Sequence, residues 1–342
     1  MIYKEQKNFT ERPAISVILT AYNRKMFIEN ALNSILSQNF DLRKVELIII
    51  SNFEIKIQSK LEELNRVKMI LLDDSMGIYL KIGIKESIGE VIVFLDDDDI
   101  LTQEKLSVVH KNFSEYKDLV YYHNAVFYIN EIGKFIDYAR LVEKKHMKNI
   151  TSYYSRSGPL KNIKRMLKSN GDFNLSSISI RRNTILPHIY LLDKLESNPD
   201  GFFFFISLLL GGDIMVDNRK LTLYRVHSIN TSASSNYKYK SAEILRQIKT
   251  FNILLEFIKN NKLNSLQITK ISEWINILKE EYELMFLLFS NSNRMNIMRK
   301  LKELFNHPIE MNNILKIRLT IIALIYILNP NTAFYIYKNL QK

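Results

Sequence analysis

Residues 89–106 read GEVIVFLDDDDILTQEKL, with four consecutive aspartates, Asp96 to Asp99, directly behind five apolar residues, Val91 to Leu95. An acidic run in a polar segment is ordinarily a solvated face. This one stands at the mouth of an apolar segment, where carboxylates held close together raise one another's pKa unless a cation compensates them. Hard divalent cations with oxygen ligands, magnesium or manganese, suit such a cluster. The chemistry on offer is therefore metal binding at the end of a buried element.

The elements that would position it can be read from the apolar periods. ISVILT (15–20), VELIII (45–50), VKMILL (67–72) and VIVFL (91–95) are continuous apolar runs, the pattern of strands covered on both faces. Between the first two, Phe27, Ile28, Ala31, Leu32 and Ile35 repeat at helical spacing. Strand, helix and strand in repetition predict an α/β fold with a mostly parallel, Rossmann-like sheet flanked by helices. Ligands bind such sheets at the carboxyl ends of strands, near a switch in strand order, which is where the four aspartates fall. Strand-like pieces follow at 119–128, 176–180 and 220–226, with polar connections around 140–172. From about residue 240 the pattern is helical, with one apolar stripe through Ile244, Leu245, Ile248, Phe251, Leu255 and Ile258. A second runs through Ile271, Trp274, Ile275, Leu278, Tyr282, Met285 and Phe289.

Composition sets outer limits. The 342 residues are 46% hydrophobic and 25% charged, as in a globular chain, and with 9 glycines and 6 prolines they favour long regular elements. Without cysteine there is neither a disulfide framework nor a thiolate zinc site. The start, MIYKEQKNFTERPA, lacks the basic-then-apolar order of a secretory signal, so a cytoplasmic location is expected. The most apolar windows, 201–212 and 319–328, fall short of the roughly eighteen residues that span a bilayer. A formal charge of +12 is spread along the chain rather than gathered into a patch. Nucleotide phosphates or an anionic membrane surface match that distribution as well as nucleic acid does.

Three motifs in order, ISVILTAYNR (15–24), GEVIVFLDDDDILTQEKL (89–106) and YRVHSINTS (224–232), resemble the family 2 nucleotide-diphospho-sugar glycosyltransferases of the GT-A fold. The resemblance spans residues 15 to about 232. It implies that Thr20, Tyr22 and Asn23 embrace the nucleotide, Tyr22 by stacking, while Asn23 also suits a helix cap. It implies further that Asp98 binds a divalent metal, that Asp96 touches the metal or the ribose, and that Asp97 belongs to the donor site, with Asp99 as a helper. His227 would complete the metal site, a buried structural histidine being the alternative, and Arg225 would meet phosphate. The family's Glu-Asp pair corresponds to Pro199 and Asp200, making Asp200 the expected general base, with helix capping as its simpler role. Arg181 and Arg182 match a paired-basic stretch, which implies that they hold the acceptor or the loop before Asp200, with a salt bridge as their simpler role. Two stretches depart from the pattern. Ser51 and Asn52 replace an acidic base-binding stretch, leaving Asn52 to meet the base, and Leu80 and Lys81 replace Arg-Asn, leaving Lys81 as a point charge for the diphosphate.

The resemblance thus implies a metal-dependent, inverting hexosyltransferase, with a GT-A domain at residues 1–238 and a helical region at 239–342. Its partners would be a nucleoside-diphosphate sugar and a glycan or lipid-linked acceptor, with no nucleic acid. The segment ILKIRLTIIALIYIL (314–328), basic at Lys316 and Arg318 and then apolar, suits either the inner, anionic face of the cell membrane or packing on the catalytic domain or a second subunit of a homodimer. Two rival classes share the architecture. A sugar-nucleotide pyrophosphorylase would need a glycine-rich loop after the first strand, and LTAYNRKMF has no glycine. A non-catalytic scaffold would keep the fold and lose turnover, consistent with Ser51, Asn52 and Leu80.

Overall fold

The computed structural model describes residues 2–7, 10–55, 59–136, 152–154, 170–227, 237–290 and 293–306, together with residues 166 and 324. The chain forms two compact units, Met1–His227 and Ser228–Lys342. The first is built on one mixed sheet. Its strands are β1 (Ile2–Lys7), β2 (Ile15–Ala21), β3 (Val45–Ser51), β4 (Arg66–Leu71), β5 (Val91–Asp96), β6 (Ile100–Leu101), β7 (Leu119–Ile129), β8 (Ser152–Tyr154), β9 (Ile178–Arg181) and β10 (Asp213–Arg225). They lie in the order β1-β4-β3-β2-β5-β9-β7-β10-β6, with β8 also on β10. The stretch β4-β3-β2-β5 is parallel throughout, as the apolar runs predict. Antiparallel pairs with β9 join it to the second half of the sheet.

Every residue of β2 and β3 is buried, because helices cover both sheet faces. Val17, Leu19, Leu47, Ile49, Val93 and Leu95 point to one side, into a core shared with Ala31, Leu32 and Ile35 of α1 (Ile28–Leu36) and Leu106, Val109 and Phe113 of α3 (Lys105–Glu115). On the other side Phe94 stacks on Phe203 of α4 (Pro199–Leu210), with ring centroids 4.7 Å apart. Gly83 of α2 (Met76–Glu86) lies there against Ile18 and Ile50, so close that a Cβ would collide with them. The result is three layers, with strands whose successive side chains feed alternate cores.

At the amino ends of the strands a single carboxylate ties the sheet together. Glu46 is fully buried and accepts from the Ser16 hydroxyl, from the Gly89 N–H at 3.0 Å and from Arg66 at 3.0 Å. Those partners belong to β2, β4 and the turn before β5. Glu46→Ala would remove the carboxylate shared by Arg66, the Ser16 hydroxyl and the N–H groups of Ile88 and Gly89, and we expect a loss of about 3 kcal/mol in denaturant unfolding, as for other broken buried pairs. A change under about 1 kcal/mol would show that water replaces the carboxylate.

Two strands differ from the sequence expectation. The polar N-terminal segment forms β1, an edge strand antiparallel to β4. The last strand begins at Asp213 rather than at residue 220, because polar DNRK (217–220) forms an irregularity within it. Asp217 accepts there from the Arg219 N–H at 3.0 Å and from the Tyr122 hydroxyl at 2.7 Å, so these polar groups are satisfied inside the sheet.

The second unit is helical, with α5 (Tyr237–Asn260), α6 (Leu266–Phe289) and α7 (Arg294–Asn306). Ile244, Ile248 and Phe251 of α5 and Ile271, Ile275 and Leu284 of α6 are buried, and the rings of Phe251 and Tyr282 approach to 5.6 Å. Lys300 of α7 pairs with Glu283 of α6 at 2.6 Å. Among the described residues no helix is long and apolar enough to cross a membrane. The segment 314–328 lies, apart from Leu324, outside the described residues.

Candidate functional site

The chain runs from β2 outward through β3 to β4 and then returns to add β5 on the opposite edge of β2. That reversal is a topological switch point, and the loops leaving β2 and β5 diverge above it. Thr20 and Asp96 are register partners at the carboxyl ends, and the Thr20 hydroxyl donates to Asp96 Oδ1 at 2.9 Å. The Tyr22 N–H donates to Asp97 Oδ2 at 3.0 Å, which fastens the first loop to the aspartate run. Tyr22 itself is 43% exposed and meets Tyr79 edge-on at 6.3 Å. Asn23 has a φ of 60°, a conformation that asparagine tolerates better than most residues. It pairs reciprocally with Asn52: the Asn23 N–H donates to Asn52 Oδ1 at 3.0 Å, and Asn52 Nδ2 donates to Asn23 Oδ1 at 2.8 Å. Ser51, by contrast, is fully buried and its hydroxyl is bonded to both the N–H and the carbonyl of Phe53.

Ligand oxygens of Asp96, Asp98 and Asp99 all lie within 4.8 Å of one another. Asp96 is partly exposed while Asp97, Asp98 and Asp99 are buried. Burial, with the charge of Asp98 added, pushes the Asp96 carboxyl up to about 6 against the pull of Arg24 and Thr20. Burial also pushes Asp97 up to about 7, opposed by Arg24, and it raises Asp99 well above the usual carboxylate range, with Asp98 and Asp96 adding to the effect. The cluster is short of positive charge, and its hard oxygen donors fit magnesium or manganese. His227 is buried with Nε2 3.0 Å from Asp98 Oδ2, so an imidazole borders the same oxygens. These groups could hold a divalent ion.

The scaffold beneath the aspartates comes from the second half of the sheet. Ser176 Oγ accepts the Asp96 N–H at 3.0 Å, and Asp99 Oδ1 accepts the Arg225 N–H at 3.0 Å. Arg225 is 1% exposed, and its guanidinium donates to the carbonyls of Asp98 at 2.8 Å and Glu131 at 2.8 Å. Its visible work is to fix the backbone of the motif, rather than the phosphate contact expected from the sequence.

Asp200 opens α4, behind Asn198, which caps the helix by accepting the Gly201 N–H at 3.2 Å. Asn198 is the cap residue, while the Asp200 carboxyl accepts from the Asn174 N–H at 3.0 Å and also from backbone N–H groups of the first turn, at Asp200 and Gly201. Burial raises the Asp200 carboxyl to about 6, with Asp172 adding to the shift. Asp200 in turn contributes to the raised pKa of Asp96, so the two face one electrostatic environment.

Other expected residues lie elsewhere or are engaged. Lys81 Nζ is held by both oxygens of Asp193, at 2.6 and 2.7 Å, and Leu80 is core. Arg181 aligns with Val91, at the opposite end of β5 from Asp96, and pairs with Glu90, while Arg182 bonds the Ser87 hydroxyl at 3.1 Å. These contacts match the simpler of the two expected roles, a salt bridge. Two residues of the site went unread in the sequence: Arg24, which bridges Asp97 and Asp98, and Asp172, which perturbs Asp200. Asp99, expected as a helper, joins the possible ligand set. The signal for Arg24 was its place directly after Asn23; Asp172, in an irregular segment, gave none.

The comparisons with known proteins bear on the family and the fold. Residues 16–189 match the model of Glycosyl transferase family 2. An uncharacterised glycosyltransferase of Haemophilus influenzae is 26% identical over 255 residues, covering 70% of this chain and 73% of that one. Another, from Rickettsia conorii, is 31% identical over 128 residues, covering 36% of this chain but only 21% of the relative's length. Among solved structures, Staphylococcus aureus TarS 1-349 in complex with UDP-GlcNAc superposes with a TM-score of 0.50 at 15% identity, covering 84% of this chain and 88% of that one. It shares the fold.

Proposed function

The chain belongs to glycosyl transferase family 2, and from that premise we propose that it moves a hexose from a nucleoside-diphosphate sugar to a hydroxyl of a glycan or lipid-linked acceptor, with inversion and with manganese or magnesium at the aspartates. The observation that carries this reading is the convergence of Asp96, Asp98 and Asp99 at the switch point, in electrostatic range of Asp200. Tyr22 offers its exposed ring to the nucleotide base, and the Asn23–Asn52 pair offers amide groups to the base edge. Asp98, with Asp96, Asp99 and His227 beside it, holds the cation. When bound, the ion neutralises the donor diphosphate and the charge that develops on the leaving group. Asp200 takes the proton of the acceptor hydroxyl, for which a carboxylate with a pKa of about 6 is ionised yet still basic. With one base and no covalent intermediate, the acceptor attacks from the face opposite the leaving group, which inverts the anomeric centre.

The fold shared with a UDP-GlcNAc complex favours a uridine donor as the first to try. Thermal melting with UDP-, GDP- and dTDP-sugars, each with and without manganese, tests the reading. One nucleotide should raise the melting temperature only when manganese is present, with about 2.7 kcal/mol of stabilisation at a hundredfold excess over Kd. No response to any of them would sink the donor site and favour a scaffold that has kept the fold.

A further inference from the structure

Asp98 already has cationic company within the protein. Its Oδ2 is bound by Arg24 Nη1, while Arg24 Nη2 lies 2.6 Å from Oδ1 of Asp97. The guanidinium is thus a fork laid across two adjacent carboxylates, with a fixed planar geometry that the point charge of a lysine ammonium does not reproduce. The other guanidinium at the run, Arg225, feels the charges of Asp99 and Asp98 but hydrogen-bonds backbone carbonyls, whereas Arg24 is paired directly with the Asp98 carboxylate and His227 borders it. Four aspartates in sequence need such a charge to be buried together. A divalent ion at Asp98 would use the same oxygen within the same few ångströms, and two cations that close repel one another.

We propose that Arg24 is a stand-in cation: it holds Asp98 in the metal-free protein and must give up that carboxylate when the divalent ion binds, keeping Asp97 as its pivot. This rests on the metal-dependent reading above. Arg24 is then a positioning residue that keeps the ligands gathered and ionised, and it lowers the affinity for metal in doing so. The buried, doubly anchored Asp97 acquires a purpose under this scheme. Its carboxylate, 0% exposed and fastened to the Tyr22 N–H, is the fixed end of the swing.

Calorimetric titration of manganese into the full chain at pH 8, without nucleotide, tests the proposal. Arg24→Gln removes the competing charge and should bind manganese more tightly than the unsubstituted protein, on the order of tenfold. Arg24→Lys, a charge without the fork, should fall between the two. A residue that merely supported the loop would, on replacement, weaken binding or leave it unchanged, and either result overturns the proposal. Asp98→Asn in the same titration separates the two levels of inference. If it abolishes binding while Arg24→Gln gains nothing, the metal site stands and the stand-in role falls. If no form binds manganese, both fall. Should Arg24→Gln lack a cooperative melt, Arg24→Lys decides by the same direction.

Discussion

Asp98→Ala is expected to lower transfer by on the order of 10³-fold and to erase the manganese-dependent thermal shift, because the substitution removes the ligand common to the metal, Arg24 and His227. A fold defect would mimic the first result, so apo stability is the control. Taking one carboxylate from a crowded acidic run relieves repulsion, and the metal-free variant should melt within a few degrees of the parent. The pH dependence of the parent gives a second check. Asp96 and Asp97 have folded pKa values of about 6 and about 7, above the ordinary carboxylate range. Between about pH 4 and 7 the folded state therefore binds more protons at these groups than the unfolded state. A state that binds more protons is favoured by acid, so their contribution to stability falls as pH rises through that window. Manganese binds the ionised carboxylates and offsets the loss, which means that its stabilising effect should be greater at pH 7.5 than at pH 5.5. In Asp98→Ala that difference should vanish. Equal manganese shifts at both pH values would place the ion somewhere other than on these carboxylates.

Why the aspartates could be found from sequence while their support could not follows from how each is encoded. A buried parallel strand is an uninterrupted apolar run, so its carboxyl end is marked by the first polar residue, and VIVFL followed by DDDD marks it sharply. The β2 loop was legible for the same reason. Edge strands carry no such mark: β1 reads IYKEQK, and its pairing to β4 is set by backbone hydrogen bonds that composition does not reveal. The start of β10 was hidden because DNRK resembles a loop, although Asp217 satisfies Tyr122 and Arg219 within the sheet. Asp172 and Asn174 come to Asp200 only through long-range packing.

Charged residues were harder still, because sequence gives a charge without its direction. Lys81 was expected to supply a charge for the diphosphate, yet Asp193, more than a hundred residues away, takes its ammonium. Arg225 sits in a motif next to phosphate chemistry, yet it is buried against carbonyls. Arg24 attracted no notice and forms the bridge between two aspartates. In each case the deciding fact is a partner contributed by another element, and that partner is specified by topology rather than by local spacing.

Asp200→Asn is expected to reduce kcat by about 10²- to 10⁴-fold, the range in which a positioned base contributes, while leaving manganese and nucleotide binding nearly intact. The amide keeps the shape and still accepts the Asn174 N–H, and Asn198 still caps α4, so the fold should not suffer. In the parent, kcat/KM should fall tenfold per pH unit below about 6, because burial and Asp172 hold Asp200 there and only its ionised form takes a proton. Asp96 also titrates near about 6, so an acid limb alone would not identify the base. The two are separable by mass action. Protons that compete with manganese at Asp96 are displaced by more manganese, moving that limb to lower pH, whereas the limb of a base that does not bind the ion stays where it is. Asp172→Asn supplies the independent lever: with its neighbour's charge removed, Asp200 should ionise more readily, and the limb should move down in pH while the plateau rate changes little. If the limb follows manganese concentration and ignores Asp172, the proton is taken by some other group and Asp200 serves the fold alone.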